Sequence, residues 1–145
     1  MPSGMNSESS KAFKRARITA LVLLFFLGIS ALPAGIMMIV DPSGISIKLP
    51  LELLEHTPFN DFLIPGIILG LFNGVLSLLV AILVLRKHRL QSWLVLFQGT
   101  VLTIWLTVEV LMGIFYSLLT LPYYLVAFVL LVCGIWMKVS KSAPG

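Results

Sequence analysis

The chain has 145 residues, of which 59% are hydrophobic and 11% charged, and its mean hydropathy is +1.05. A soluble domain of this size cannot bury that much apolar surface, so composition excludes a water-soluble globular protein and makes the bilayer the solvent for most of the chain. The formal net charge of +4 does not point to nucleic acid, because the basic residues hug the ends of apolar runs and leave no basic surface domain to hold a duplex.

Residues 1–16, MPSGMNSESSKAFKRA, are polar, small and basic. Too little apolar area is present to fold alone, which predicts a mobile cytoplasmic tail. From Ile18 to Val40 there is no charge, and the run exceeds the roughly 20 residues that cross a ~30 Å hydrocarbon core as a helix. This is the first span, 18–40. Its basic leader, apolar centre and small residues at Ser30, Ala31 and Ala34 also fit a cleaved signal peptide, although the run outlasts the apolar core of one. Gly28, Ala31 and Gly35 form a small-residue patch, and Pro33 beside them predicts a kink, since it removes a helix hydrogen bond.

The connection 41–61 reads as an ordered outer loop. Asp41-Pro42-Ser43-Gly44 has proline second and glycine fourth, a turn pattern. Ile45, Ile47 and Leu49 then alternate with polar residues, which predicts a short extended piece. Pro50 suits the start of a short interfacial helix with Leu51, Leu53 and Leu54 towards the membrane and Glu52 and Glu55 towards water. Thr57-Pro58 suits the cap and first turn of the next helix.

Span 2, 62–85, carries Gly66, Gly70 and Gly74 on one face, with Asn73 and Ser77 beside them. Small residues every four positions let a second helix approach closely, so these glycines are assigned to helix packing, within the chain or against a second copy or another membrane protein, with a substrate path as the remaining alternative. Arg86, Lys87 and Arg89 separate this span from the next.

The stretch from Leu90 to Met137 contains one charge, Glu109, and is long enough for two crossings, 91–116 and 121–137, with the turn at Ser117 to Pro122. At ~100° per residue, Gln91, Gln98, Trp105, Glu109, Gly113 and Tyr116 share a narrow stripe of span 3, broken by Leu102. A carboxylate at the bilayer centre costs about 2.5 to 3.5 kcal/mol, enough to demand a partner, a proton or water. Helical rise places Glu109 about 24 Å in from Trp93, near the outer interface, level with Gly66 and the positive N-terminal end of span 2. The stripe is therefore expected to face the glycine ridge. Pro33 to Gly35, Pro65 with Gly66, Glu109 with Gly113, and Pro122 followed by Tyr123 and Tyr124 all fall in the outer third, which predicts a cavity that opens outward beneath the loop. Tyr123, Tyr124, Trp93 and Trp136 suit interfacial anchors, whereas Trp105 lies too deep.

Orientation follows from the cations. Lys11, Lys14, Arg15 and Arg17 precede span 1, Arg86, Lys87 and Arg89 follow span 2, and Lys138 and Lys141 follow span 4, with Lys48 alone on the other side. Both termini, including the tail 139–145, are expected in the cytoplasm. Cys133 is the sole cysteine, and His56 and His88 lie in opposite connections, so no disulfide, metal site or cofactor is expected. No phosphate loop, nucleophile elbow, zinc motif or dinucleotide fingerprint is present, and no enzyme activity is expected.

The string Asp41-Pro42-Ser43-Gly44, Leu49-Pro50, Thr57-Pro58-Phe59 with Asp61, then Pro65-Gly66 resembles a pattern in uncharacterised small bacterial four-span integral membrane proteins. That resemblance implies a four-helix membrane domain in a bacterial cytoplasmic membrane and implies no activity. The reading is thus an all-α, up-down four-helix transmembrane bundle over 17–138 with membrane lipids as partner and a structural or accessory role. The alternative is a small transporter or ligand-binding protein whose outward-facing polar site comprises Glu109, Asn73, Gln98, Trp105 and Tyr116.

Overall fold

The computed structural model describes residues 3–55, 57–111 and 117–142. Four helices are long and apolar enough to cross a membrane: α1 (Ser3–Val40), α2 (Leu63–Leu85), α3 (Gln91–Leu111) and α4 (Ser117–Ser142). They alternate in direction. Arg17, Leu85, Gln91 and Lys138 meet at one end, the basic end, and the loop 41–61 lies at the other, the loop end. The expected all-α four-helix bundle is present. The outward faces stay apolar, as in Ile18, Val22, Phe26 and Ile29 of α1, which are all more than half exposed and suited to lipid.

Two close seams build the bundle from two hairpins. In the first, α1 lies on α2 with Gly28 at Leu78, Leu32 at Gly74, Gly35 at Gly70 and Met38 at Gly66, a regular antiparallel register. The glycine ridge of α2 is therefore turned to α1 rather than to the polar stripe of α3, because the patch Gly28 to Gly35 gives it a partner of matching smallness. In the second seam, Gly99 of α3 meets Leu131 of α4, and Gly134 of α4 meets Leu96 of α3. Here each glycine receives a leucine. With no hydrophobic drive between helices in lipid, such closeness stabilises through dispersion contacts between backbones.

The hairpins join through α1 and α4, where the Tyr123 hydroxyl donates to Ser30 Oγ at 2.8 Å and the Phe26 and Tyr123 rings stack at 6.0 Å. Tyr124 Oη lies 3.1 Å from Thr107 Oγ1 of α3. Both tyrosines, expected as interfacial anchors, have their hydroxyls engaged between helices. At the basic end, Arg17 donates to the carbonyls of Val84 (2.8 Å) and Leu85 (3.2 Å) and to Gln91 Oε1 (3.3 Å). It satisfies the last carbonyls of α2 and ties three helices together. Lys138 sits 3.6 Å from the centre of the Trp93 ring.

Four local expectations are corrected. Residues 1–16 were expected as a mobile tail, but α1 is helical from Ser3 and packs Phe13 and Ala16 on the bundle. The turn expected at Ser117 to Pro122 is helical, with Pro122 inside α4, so the connection from α3 falls within 112–116. Gly113, Tyr116 and His56 lie outside the described residues. In the loop, Gly44 N–H does close the turn onto Asp41 O (3.1 Å), and Gly44 adopts φ +79°, a left-handed value that a Cβ would strain. Ile45–Ile47, however, is a 3₁₀ turn instead of an extended piece. Asp41 causes this, since its carboxylate accepts Ser43 Oγ, Ser46 N–H and Ser46 Oγ and curls the chain back. A second 3₁₀ turn, Leu51–Leu54, follows Pro50, with Leu54 buried and Glu52 and Glu55 exposed. Thr57 does not cap α2. It closes its own turn between Leu54 O and Phe59 N–H, and Asp61 takes the N–H of Leu63 where α2 begins.

Gly35 and Gly70 face each other but respond differently to an added methyl. A Cβ on Gly35 would meet Gly70 N and Cα at 2.7 Å and Gly66 O at 2.8 Å, all backbone, whereas one on Gly70 finds its nearest atom at 3.7 Å. Thermal unfolding in detergent micelles should therefore show Gly35→Ala destabilised by about 1 to 3 kcal/mol and Gly70→Ala within about 0.5 kcal/mol of wild type. Serine hydrogen bonds, that of Ser43 first, hold the Asp41 carboxyl down at about 2 from an ordinary 3.8. Ionised Asp41 thus supports the turn fully above the ordinary value, and its contribution fades as pH falls through about 2. The Ser46 amide resonance should stay fixed between pH 8 and 5 and shift only under stronger acid, while Asp41→Asn should shift it at every pH.

Candidate functional site

A break in the regular hydrogen bonding of α2 positions the site. Over Leu69–Val75 the helix widens to π geometry, with Leu76 N–H donating to Leu71 O, five residues back. Such stretches are seldom stable in isolation and tend to accompany functional sites. Here the glycines Gly70 and Gly74 let the widened backbone press on α1, while Phe72 O turns outward to accept Gln98 Nε2 of α3 at 3.0 Å. That bond sets the relative depth of α2 and α3.

Beyond this bond the two hairpins part. α3 packs on α2 along Leu69–Leu85, while the first turns of α2, Leu63–Ile68, pack on α1. The core is continuous in the basic half, where Leu24, Val80, Val84, Val95 and Met137 are fully buried. In the loop half a cavity of about 790 Å³ opens between α2 and α3, with α1 behind it. Leu49, Leu53, Leu54, Phe59 and Phe62 of the loop roof it. Phe62 is held there by its own N–H, which donates to Pro42 O at 2.9 Å.

The walls are apolar apart from a few side chains. Glu109 and Trp105 line the cavity from α3, Asn73 from α2, and Ser30, Thr120 and Tyr123 from α1 and α4. Glu109 is half-buried, with the side chain of Trp105, one turn earlier on its own helix, beside it. The N-terminal end of α2, expected to face Glu109, packs on α1. Asn73 is wholly buried, and neither Nδ2 nor Oδ1 has a hydrogen-bond partner among the described residues. Ser77 Oγ and Gln98 Oε1, also buried, are in the same condition. Each such atom costs about 1 to 3 kcal/mol.

Of the residues singled out from sequence, Glu109, Trp105 and Asn73 share the cavity. Gln98 lies below it, bonded to α2, and Leu102 lines the wall between Gln98 and Trp105. Gly66, Gly70 and Gly74 lie on the α1 seam and not in the cavity. Thr100, Thr103 and Thr107, on the far side of α3, bond back to the carbonyls of Leu96, Gly99 and Thr103. Sequence reasoning missed Ser30 and Thr120 as wall residues and the π stretch altogether. Its one local signal was the pair Gly70 and Gly74 around Asn73, which fits packing equally well. No protein-family model, curated protein or solved structure matches the chain.

The orphaned amide makes a prediction opposite to that of its neighbour. Asn73→Leu replaces an unpartnered amide by an apolar group of like shape, and denaturation in micelles should show stabilisation by about 1 to 3 kcal/mol. Gln98→Leu strips Phe72 O of its partner and should destabilise by a similar amount. Destabilisation by Asn73→Leu would mean that the amide is bonded within the folded chain.

Proposed function

We propose that the protein is a non-enzymatic ligand-binding protein of a bacterial cytoplasmic membrane, with both termini in the cytoplasm and the cavity opening towards the opposite face. Asn73 carries this reading. A fully buried amide with both polar atoms unpartnered, set in the wall of a cavity of about 790 Å³, lowers the stability of the folded chain unless a ligand completes it. The cation distribution supports the orientation, and the likeness of the loop to small bacterial four-span proteins supports the membrane.

A purely structural or accessory role has weaker support. It draws on the glycine ridge as a docking face for another membrane protein or a second copy, and that ridge is covered by α1. Membrane lipid remains the surrounding partner in either case.

Native mass spectrometry of the full chain, released from membranes in mild detergent, tests the reading. One amphiphile per chain should survive detergent stripping in the wild type and be lost in Ala34→Phe, which fills the cavity from α1. A wild type that strips as cleanly as Ala34→Phe would overturn it.

A further inference from the structure

The wall chemistry narrows the ligand class, on the reading that the cavity is a ligand site. Entry comes first. Where α2 and α3 part, the cavity is lined by Phe72 on one helix and by Ile104 and Val108 on the other, and these are 49%, 58% and 37% exposed. The lip between the helices is apolar and faces the bilayer, so it admits molecules already dissolved in the leaflet.

Charge comes next. Among the described residues, Glu109 is the one ionisable acid or base in the cavity wall apart from the Tyr123 phenol, whose hydroxyl is engaged with Ser30. The loop half of the chain contains two basic residues, Lys48, which is exposed on the loop, and His56. A phosphate or carboxylate headgroup in this wall would meet an acid with no counter-charge in a medium of low dielectric, a costly arrangement. An ammonium group would meet the Glu109 carboxylate, and the Trp105 ring beside it offers a second attraction for a cation.

The far end is set by Asn73. The Gln98 bond to Phe72 fixes its depth, and from Gln98 to Glu109 α3 rises about 16 Å. Asn73 has two donor hydrogens and an acceptor oxygen to satisfy, which suits a neutral hydroxyl or amide. Between the two polar stations the wall includes Leu27, Leu69, Leu102 and Leu106.

We propose that the cavity takes a membrane-dissolved lipophilic amine, its ammonium at Glu109 and Trp105, its apolar body in the cleft between α2 and α3, and a neutral hydrogen-bonding group at Asn73.

Equilibrium binding to the full chain in phosphatidylcholine nanodiscs, corrected for partitioning into empty discs, tests this with four probes: dodecylamine, dodecanol, dodecyl phosphate and 12-aminododecan-1-ol. Wild type should bind dodecylamine saturably, at one per chain and at least tenfold more tightly than dodecyl phosphate, a comparison that needs no variant. Glu109→Gln should erase that preference. The distal hydroxyl of 12-aminododecan-1-ol should tighten binding relative to dodecylamine in wild type and not in Asn73→Leu. Saturable binding that ignores headgroup charge, or a charge preference that survives Glu109→Gln, would overturn the amine assignment and leave the ligand site standing. Absence of saturable binding for all four probes would bring down both.

Discussion

The close approach of α1 to α2 governs the rest of the molecule. Lipid tails are as apolar as leucine, so two helices gain nothing from simply hiding hydrophobic surface from one another. What they gain is contact, and contact of backbone on backbone requires that no side chain stand between. Gly35 against Gly70, with Gly66 and Gly74 against Met38 and Leu32, supplies that condition over the loop half of α2. Once α2 is committed to α1, its first turns are not available to α3, which has its own seam with α4 through Gly99 and Gly134. Two tight hairpins cannot both close fully on each other along every edge. The edge left open is the loop half of the α2–α3 face, and the cavity is that opening.

The second constraint is that lipid offers no hydrogen bonds, so every polar group within the bilayer depends on the protein. Most of them comply. The threonines of α3 bond back to their own helix, Arg17 collects the terminal carbonyls of α2, and Gln98 takes the carbonyl that the π stretch turns outward. Against that background Asn73, buried on the widened part of α2, and Ser77, one turn further along the helix, lack partners among the described residues, as do Ser92 Oγ and Gln98 Oε1. On the proposed reading, Asn73 in the cavity wall and Glu109 with Trp105 towards its mouth are the polar groups that a ligand would meet.

Much of this was legible in the residues, for reasons of length and charge. Spans announce themselves because an apolar run long enough to cross the bilayer has no other use, and the Asp41 to Gly44 turn was readable because proline and glycine restrict the backbone locally. The depth argument also placed a cavity beneath the loop. What escaped was pairing. Sequence gives the face on which Gly66, Gly70 and Gly74 lie but not which neighbour takes it, and the rise from Phe62 set Asn73 level with Leu102, about a turn from the depth that the Gln98 bond establishes. Gly99 and Gly134 drew no notice, since each lacks a second glycine at helical spacing and meets a leucine instead. The π stretch has no compositional mark of its own, and the curl at Ile45–Ile47 depends on a carboxylate four residues upstream overriding the alternation of its apolar residues.

Seam, opening and buried amide together describe a bundle whose interior is reached sideways from the lipid, and the fluorescence of Trp105 reads that property most directly. With Trp93 and Trp136 replaced by phenylalanine, Trp105 is the one remaining indole. In nanodiscs of phosphatidylcholine brominated along its acyl chains, a cavity open to the leaflet predicts Trp105 emission quenched nearly as strongly as that of Trp136, which lies on the lipid-facing surface. Emission from Trp105 that brominated chains leave untouched would mean that α2 and α3 close against each other at the loop end, and would contradict the account.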